Sequence, residues 1–206
     1  MRFRTIDVPT VTSWVGRVLR FDFTAFDEIR DEVSATTPAV LIVLAGSFIA
    51  GFGSFLWALQ HDNFPNVDVA EVFIKSMLVG GMIQTAVWFV WVYLVYQVLT
   101  RGYGHQISFA ELVRPMGLAF SPIVFSVLVA ITVLAMPFGL ASFALVFLFT
   151  NIAIQQTTGA DIRETSMANI TGFVVFLVVM GMFANVAEIE PFGGVAPGIL
   201  FFSLDF

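Results

Sequence analysis

The chain has 206 residues, of which 58% are hydrophobic and 12% charged, and it carries a net charge of -6, with a mean hydropathy of +0.92. Soluble domains carry about 25% charged residues, so the composition describes a chain whose solvent is lipid. The absence of cysteine excludes disulfides and thiolate or cysteine-ligated metal chemistry, and the acidic balance excludes a nucleic-acid partner.

Residues 1–32 contain no uninterrupted apolar core of signal-peptide length, so no cleaved leader is expected, and residues 1–37 form the N-terminal segment before the first span. They read as a cytoplasmic amphipathic segment of short helices. Ser13 is placed to cap a helix whose Trp14, Val15, Val18 and Leu19 share a face, with Arg17 and Arg20 turned away. Thr24-x-x-Asp27 resembles a capping box that starts a second helix, with Phe26, Ile29 and Val33 as its apolar stripe. Trp14, Arg17, Arg20, Phe26 and Ile29 are thus the candidate membrane-interface or partner-binding residues. The alternative is packing on the protein's own loops, because amphipathicity alone does not separate the two.

Apolar blocks follow at 33–61, 76–100, 115–160 and 165–187, each long enough to cross a hydrocarbon core of about 30 Å. The block at 115–160 is too long for one span, and Met136-Pro137-Phe138-Gly139 near its middle predicts a break and a return. The fold expected is all-α and polytopic, with five transmembrane helices near 38–59, 76–100, 117–136, 139–157 and 167–185. In the first span Gly46, Ala50 and Ser54 recur every four residues and offer a groove for close helix packing, which Ser47 and Gly51 widen. The second span ends in Trp88, Trp91, Tyr93 and Tyr96, an aromatic belt. Arg101-Gly102-Tyr103-Gly104 then makes a turn, and Ser108-Phe109-Ala110-Glu111 forms a capping box that starts the helix of the third span. The remaining 188–206 are too rich in proline and glycine for a sixth span and read as an extracytoplasmic tail.

The charges orient these spans. Arg2, Arg4, Arg17, Arg20, Arg30, Arg101, Arg114 and Arg163 fall on one side, and Lys75 alone falls on the other. An excess of basic residues marks the cytoplasm, so the N-terminus is expected inside and the C-terminus outside.

Reactive chemistry is not expected. The embedded stretches read as free of Asp, Glu, Lys, Arg and His, which counts against an enzyme and against an ion-coupled carrier. His61 and His105 fall at opposite faces and read as solvated helix-end residues, in preference to single axial ligands of a haem or chlorophyll. No catalytic, metal or cofactor site is expected. The intramembrane polar residues Gln84, Asn151, Gln155, Gln156 and Asn169 are read as interhelical hydrogen-bonding groups in preference to a polar conduit.

Arg17-Val18-Leu19, then Thr24-Ala25-Phe26-Asp27-Glu28-Ile29-Arg30, then five helices, resembles the prokaryotic branch of the Yip family of Ypt/Rab-interacting membrane proteins. Gly102, Gly104, Ser108 and Phe109 are similar to the family's glycine-rich loop and Ser-Phe helix start, and Gly117 with Pro122 is similar to its Gly-aromatic-x-x-Pro entry. The resemblance spans about residues 14–185. It implies a non-enzymatic scaffold or adaptor that organises membrane or recruits other membrane proteins, in a prokaryotic plasma membrane. Eukaryotic members bind prenylated small GTPases, but this chain lacks their long cytosolic region and the Asp-Leu-Tyr-Gly-Pro-like motif, which weighs against that partner. Two other functions fit the residues: a structural accessory subunit of a larger energy-converting membrane complex, and a channel or carrier for an uncharged or lipidic substrate.

Overall fold

A computed structural model describes residues 8–60 and 69–186, and among them every regular element is helical. Lipid offers no partner to backbone N–H and C=O groups, so a spanning segment satisfies them within its own helix. Two short helices, α1 (Val8–Leu19) and α2 (Thr24–Asp31), precede α3 (Thr36–Leu59). After the undescribed 61–68 come α4 (Val69–Phe73), a π-helical stretch Ile74–Val79, α5 (Gly80–Gln97) and a second π-helical stretch Val98–Gly102. α6 (Phe109–Ala119) tightens into a 3-10 helix at Ser121–Ala130, and α7 (Ala135–Thr158) and α8 (Ile162–Val186) complete the fold. Five segments are long and apolar enough to cross a membrane: Val33–Leu59, Val69–Gly102, Phe109–Ala130, Ala135–Thr158 and Ile162–Phe183. The third is the most enclosed, with 78% of its apolar window buried, against 33% for the fifth.

Several expected helix ends move. The return between the third and fourth spans is a short turn, with the Ile131 N–H donating to Leu128 O and the Leu134 N–H to Ile131 O. Met136 and Pro137 instead lie in the first turn of α7, where a proline's missing N–H breaks no helical bond. Ser13 does not cap α1, which already begins at Val8. The Thr24 capping box is also absent: Asp22 Oδ1 accepts from the Thr24 N–H at 3.2 Å and its hydroxyl at 2.6 Å, and so takes the role assigned to Asp27. The Ser108–Glu111 capping box is formed, with Ser108 Oγ accepting from the Glu111 N–H at 3.3 Å and Glu111 Oε2 from the Ser108 N–H at 2.7 Å. In the third span Pro122 cannot donate to the α-helical ladder, and the chain continues from Ser121 with 3-10 geometry.

The described residues form two compact units, one from 8–43, 90–122 and 146–173, the other from 44–60, 69–89, 123–145 and 174–186. Glycine sets the closest helix contacts inside each. In the first unit a Cβ on Gly117 would lie 2.8 Å from Ala39 O, and one on Gly172 2.8 Å from Trp91 O. In the second, a Cβ on Gly51 would lie 2.4 Å from Ser76 O, and one on Gly53 2.7 Å from Val127 Cα. Gly46, Ala50 and Ser54 are buried there, and Ser54 Oγ donates to Ala50 O at 3.3 Å. Gly51 and Gly53, on the same helix, make the backbone approaches. Backbone on the far side cannot rotate away, so Gly53→Ala and Gly117→Ala are each expected to lower stability by about 1–3 kcal/mol. Gly16 in α1 has nothing within 4 Å of its Cβ position, and Gly16→Ala is expected to raise stability by about 0.5–1 kcal/mol. Thermal unfolding of the three variants in one detergent checks the opposite signs.

Candidate functional site

The first unit gathers most of the polar chemistry, and its outermost part is the hairpin of α1 and α2. Both helices pack on α6. The amphipathic stripe is turned inward: Trp14, Phe26 and Ile29 are buried, at 6%, 1% and 0% exposure. Of the two readings open for these side chains, packing on the protein itself is the one this geometry has, because α6 offers them an apolar wall. The Trp14 indole N–H donates to Glu28 Oε2 at 3.1 Å. Arg17 binds Glu28 through Nη1 at 2.8 Å, Asp22 through Nε at 2.9 Å and the Thr24 hydroxyl through Nη2 at 2.6 Å. One guanidinium thereby ties the end of α1 to the start and middle of α2. The Thr24 hydroxyl and then Arg17 hold the Asp22 carboxyl below the usual carboxylate range, and Arg17 followed by Trp14 does the same for Glu28. Arg20 is exposed.

The far end of α2 is anchored by Arg114, the residue that sequence reasoning placed among flanking loop charges. It lies inside α6 at 6% exposure, so the helix of the third span carries a buried cation after all. Its Nη1 donates to Arg30 O and its Nε to Thr36 Oγ1 at 3.0 Å. The first acceptor is one of the carbonyls left open at the end of α2, and the second belongs to the first residue of α3. Arg30 itself pairs with Asp31 at 2.9 Å and donates to Gln156 O on α7 at 3.3 Å. Lys75 and Glu71 pair across one turn in the segment carrying the second span.

Further inside the unit, Asn169 of α8 is 0% exposed and fully engaged. Its Oδ1 accepts from the Trp91 indole N–H at 3.1 Å, and its Nδ2 donates to Phe147 O at 3.0 Å and to Thr150 Oγ1 at 3.2 Å. Asn151 Nδ2 donates to Ser166 Oγ at 3.4 Å, separate from that knot, while Gln155 is half-buried further along α7. Gln84 lies in the other unit, fully buried, with neither amide atom hydrogen-bonded among the described residues. Within the first unit Asn151 and Asn169 are hydrogen-bonded to different partners, and Gln156 Oε1 has no partner among the described residues. His105 departs from the solvated reading as well: its Nε2 lies 2.8 Å from Glu164 Oε2 in the first turn of α8. His61 and the tail 188–206 lie outside the described residues.

The family-like loop residues differ in burial along 102–122. Gly104 adopts φ +77°, a left-handed conformation that glycine takes without cost, and Gly102 and Gly104 are both exposed. The Phe109 ring meets Tyr96 edge-on at 6.0 Å between centroids. Gly117 and Pro122 are buried. No group of three or more His, Cys, Asp or Glu poised to hold a metal ion occurs among the described residues. The geometry of the unit orders helices and fixes a surface.

Two outcomes follow. Arg114→Met removes the donor to Arg30 O and to the Thr36 hydroxyl, which keeps its own bond to Val33 O at 3.2 Å, and is expected to cost about 1–3 kcal/mol in thermal unfolding. Asp22 and Glu28 have folded pKa values below their unfolded ones, so their contribution is complete above the ordinary carboxylate range of about 4 and is lost as pH falls through the depressed folded values. Amide hydrogen exchange of α1 and α2, corrected for intrinsic rate, is expected to be flat near neutrality and to rise below about pH 4.

The model of the family described as Yip1 domain matches residues 17–187. Comparisons with curated proteins and with solved structures give no match.

Proposed function

Because the chain belongs to the Yip1 domain family, we propose that this five-span protein is a non-enzymatic membrane scaffold or adaptor whose partner-facing element is the α1–α2 hairpin. One observation carries the reading: the hairpin's apolar stripe is sealed against α6, which leaves a pre-ordered surface bearing Arg20, Asp27, Glu28 and Asp31. A surface fixed before binding avoids the ordering cost that a floppy segment would meet on binding. The basic residues on this side support an N-terminus in the cytoplasm and a C-terminus outside, and a prokaryotic plasma membrane as the home. The engagement of Asn169 by Trp91, Phe147 and Thr150 weighs against the carrier reading, since a knot of satisfied bonds has no vacancy for a substrate.

Deleting the N-terminal segment is a poor test, because it would also strip α6 of its cover. Arg20→Glu with Asp27→Lys reverses two exposed charges and leaves the Arg17 and Arg114 anchors in place. After gentle extraction, native mass spectrometry is expected to find the unaltered chain with protein partners that the double variant loses, at equal thermal stability. An unaltered chain that appears alone, or partners indifferent to both substitutions, removes the adaptor reading.

A further inference from the structure

The turn joining α1 to α2 contains the one non-glycine residue with positive φ among the described residues, Phe21 at φ 64°. It closes a Schellman motif: the Asp22 N–H donates to Arg17 O at 3.0 Å and the Phe21 N–H to Val18 O at 2.9 Å. Glycine is the ordinary occupant of that left-handed position, and a bulky side chain there is strained. Packing inside the protein does not account for the choice. The ring touches Phe149 at 5.6 Å and Phe23 at 6.2 Å between centroids, edge-on in both cases, yet the residue is 64% exposed.

The depth of the turn follows from its neighbours. Phe23 packs on Phe149 at 5.0 Å, and Arg30 reaches Gln156 O at 3.3 Å, so α2 advances along α7 from 149 to 156 as its own numbering runs from 23 to 30. Over that interval α7 changes character. Up to Phe149 it is apolar apart from Ser142, whereas Thr150, Asn151, Gln155, Gln156, Thr157 and Thr158 follow. α8 mirrors the change, with Arg163, Glu164, Thr165, Ser166 and Asn169 before Ile170, and Phe173 beyond it. Thr150 and Asn169 are hydrogen-bonded, which puts the two changes at one level. Leu148 and Ile170, at 53% and 45% exposure, are exposed apolar residues beside that change in character.

From this we infer that Phe21 inserts into the hydrocarbon edge of the bilayer, with Arg20 beside it at the level of the lipid phosphates. The α1–α2 turn then touches lipid while the helices touch α6. The occupant is the bilayer because the exposed ring continues the apolar surface of α7, and because an arginine at the next position suits anionic headgroups. The inference shares Arg20 with the proposed partner-facing surface but rests on the depth of position 21, so lipid contact and partner recruitment are read by separate measurements.

The chain has no cysteine, so a single introduced one reports cleanly. Phe21→Cys, Arg20→Cys and Val8→Cys, each spin-labelled and reconstituted in vesicles of phosphatidylcholine and phosphatidylglycerol, are compared by power saturation with oxygen and with a water-soluble nickel chelate. Val8, 74% exposed at the other end of α1, is the aqueous reference. The label at 21 is expected to be more accessible to oxygen than to nickel, the label at 8 to show the reverse, and the label at 20 to fall between them. Arg20→Cys leaves the ring contacts untouched and so answers even if Phe21→Cys perturbs the turn. Nickel accessibility at 20 and 21 equal to that at 8 overturns the inference. So does shielding of 21 from both reagents, which would mean that protein, such as a second copy, covers the ring.

Discussion

A buried guanidinium must aim its donors at acceptors that the fold already leaves open, and Arg114 does so where three segments meet. Its two bonds reach Arg30 O at the close of α2 and the hydroxyl of Thr36 at the start of α3, while its own backbone belongs to α6. A helix end exposes carbonyls that lack intrahelical donors, and a cation there also meets the negative end of the helix dipole. Arg114 is therefore cap and strut together. With α2 held at that end and Arg17 joining α1 to α2, the hairpin has a fixed geometry, and the proposed surface and the placement of Phe21 both depend on it.

In lipid the apolar faces of helices gain nothing by leaving solvent, because lipid tails are as apolar as leucine, so close backbone approach and hydrogen bonds hold spans together. The first unit of this protein uses both, and the second uses close backbone approach. Gly117 and Gly172 bring backbones together in the first unit, and Asn169 ties α8 to Trp91 and Thr150 in the same unit. Gly51 and Gly53 do the corresponding work in the second.

How far the sequence could be read depended on how far apart the interacting residues lie along it. Local signals held: the apolar blocks gave five spans, and Ser108 with Glu111 formed the expected cap, because each depends on residues within one turn or one helix. On the first span the close backbone approaches come at Gly51 and Gly53, which a four-residue repeat does not single out. Where two local signals competed, the sequence could not choose between them. Thr24-x-x-Asp27 reads as a box although Asp22 takes the Thr24 N–H, and the turn at 131–134 carries no proline or glycine to compete with Pro137 and Gly139. Long-range pairs were invisible. Arg114 looks like a flanking charge until its partners at 30 and 36 are seen, and His105 looks solvated until Glu164 arrives from another helix.

The same reasoning explains why the hairpin was only half-legible. Hydrophobic periodicity shows that a helix has two faces, and the face with Trp14, Phe26 and Ile29 would suit lipid or protein equally. Burial against α6 decides for protein at those positions. A lipid contact then has to come from residues the periodicity does not pick out, and the natural place is a turn, where a side chain is free of both helical faces. Phe21 sits at such a place in a backbone conformation that favours glycine, so its retention there has to be explained by what the ring touches outside the fold.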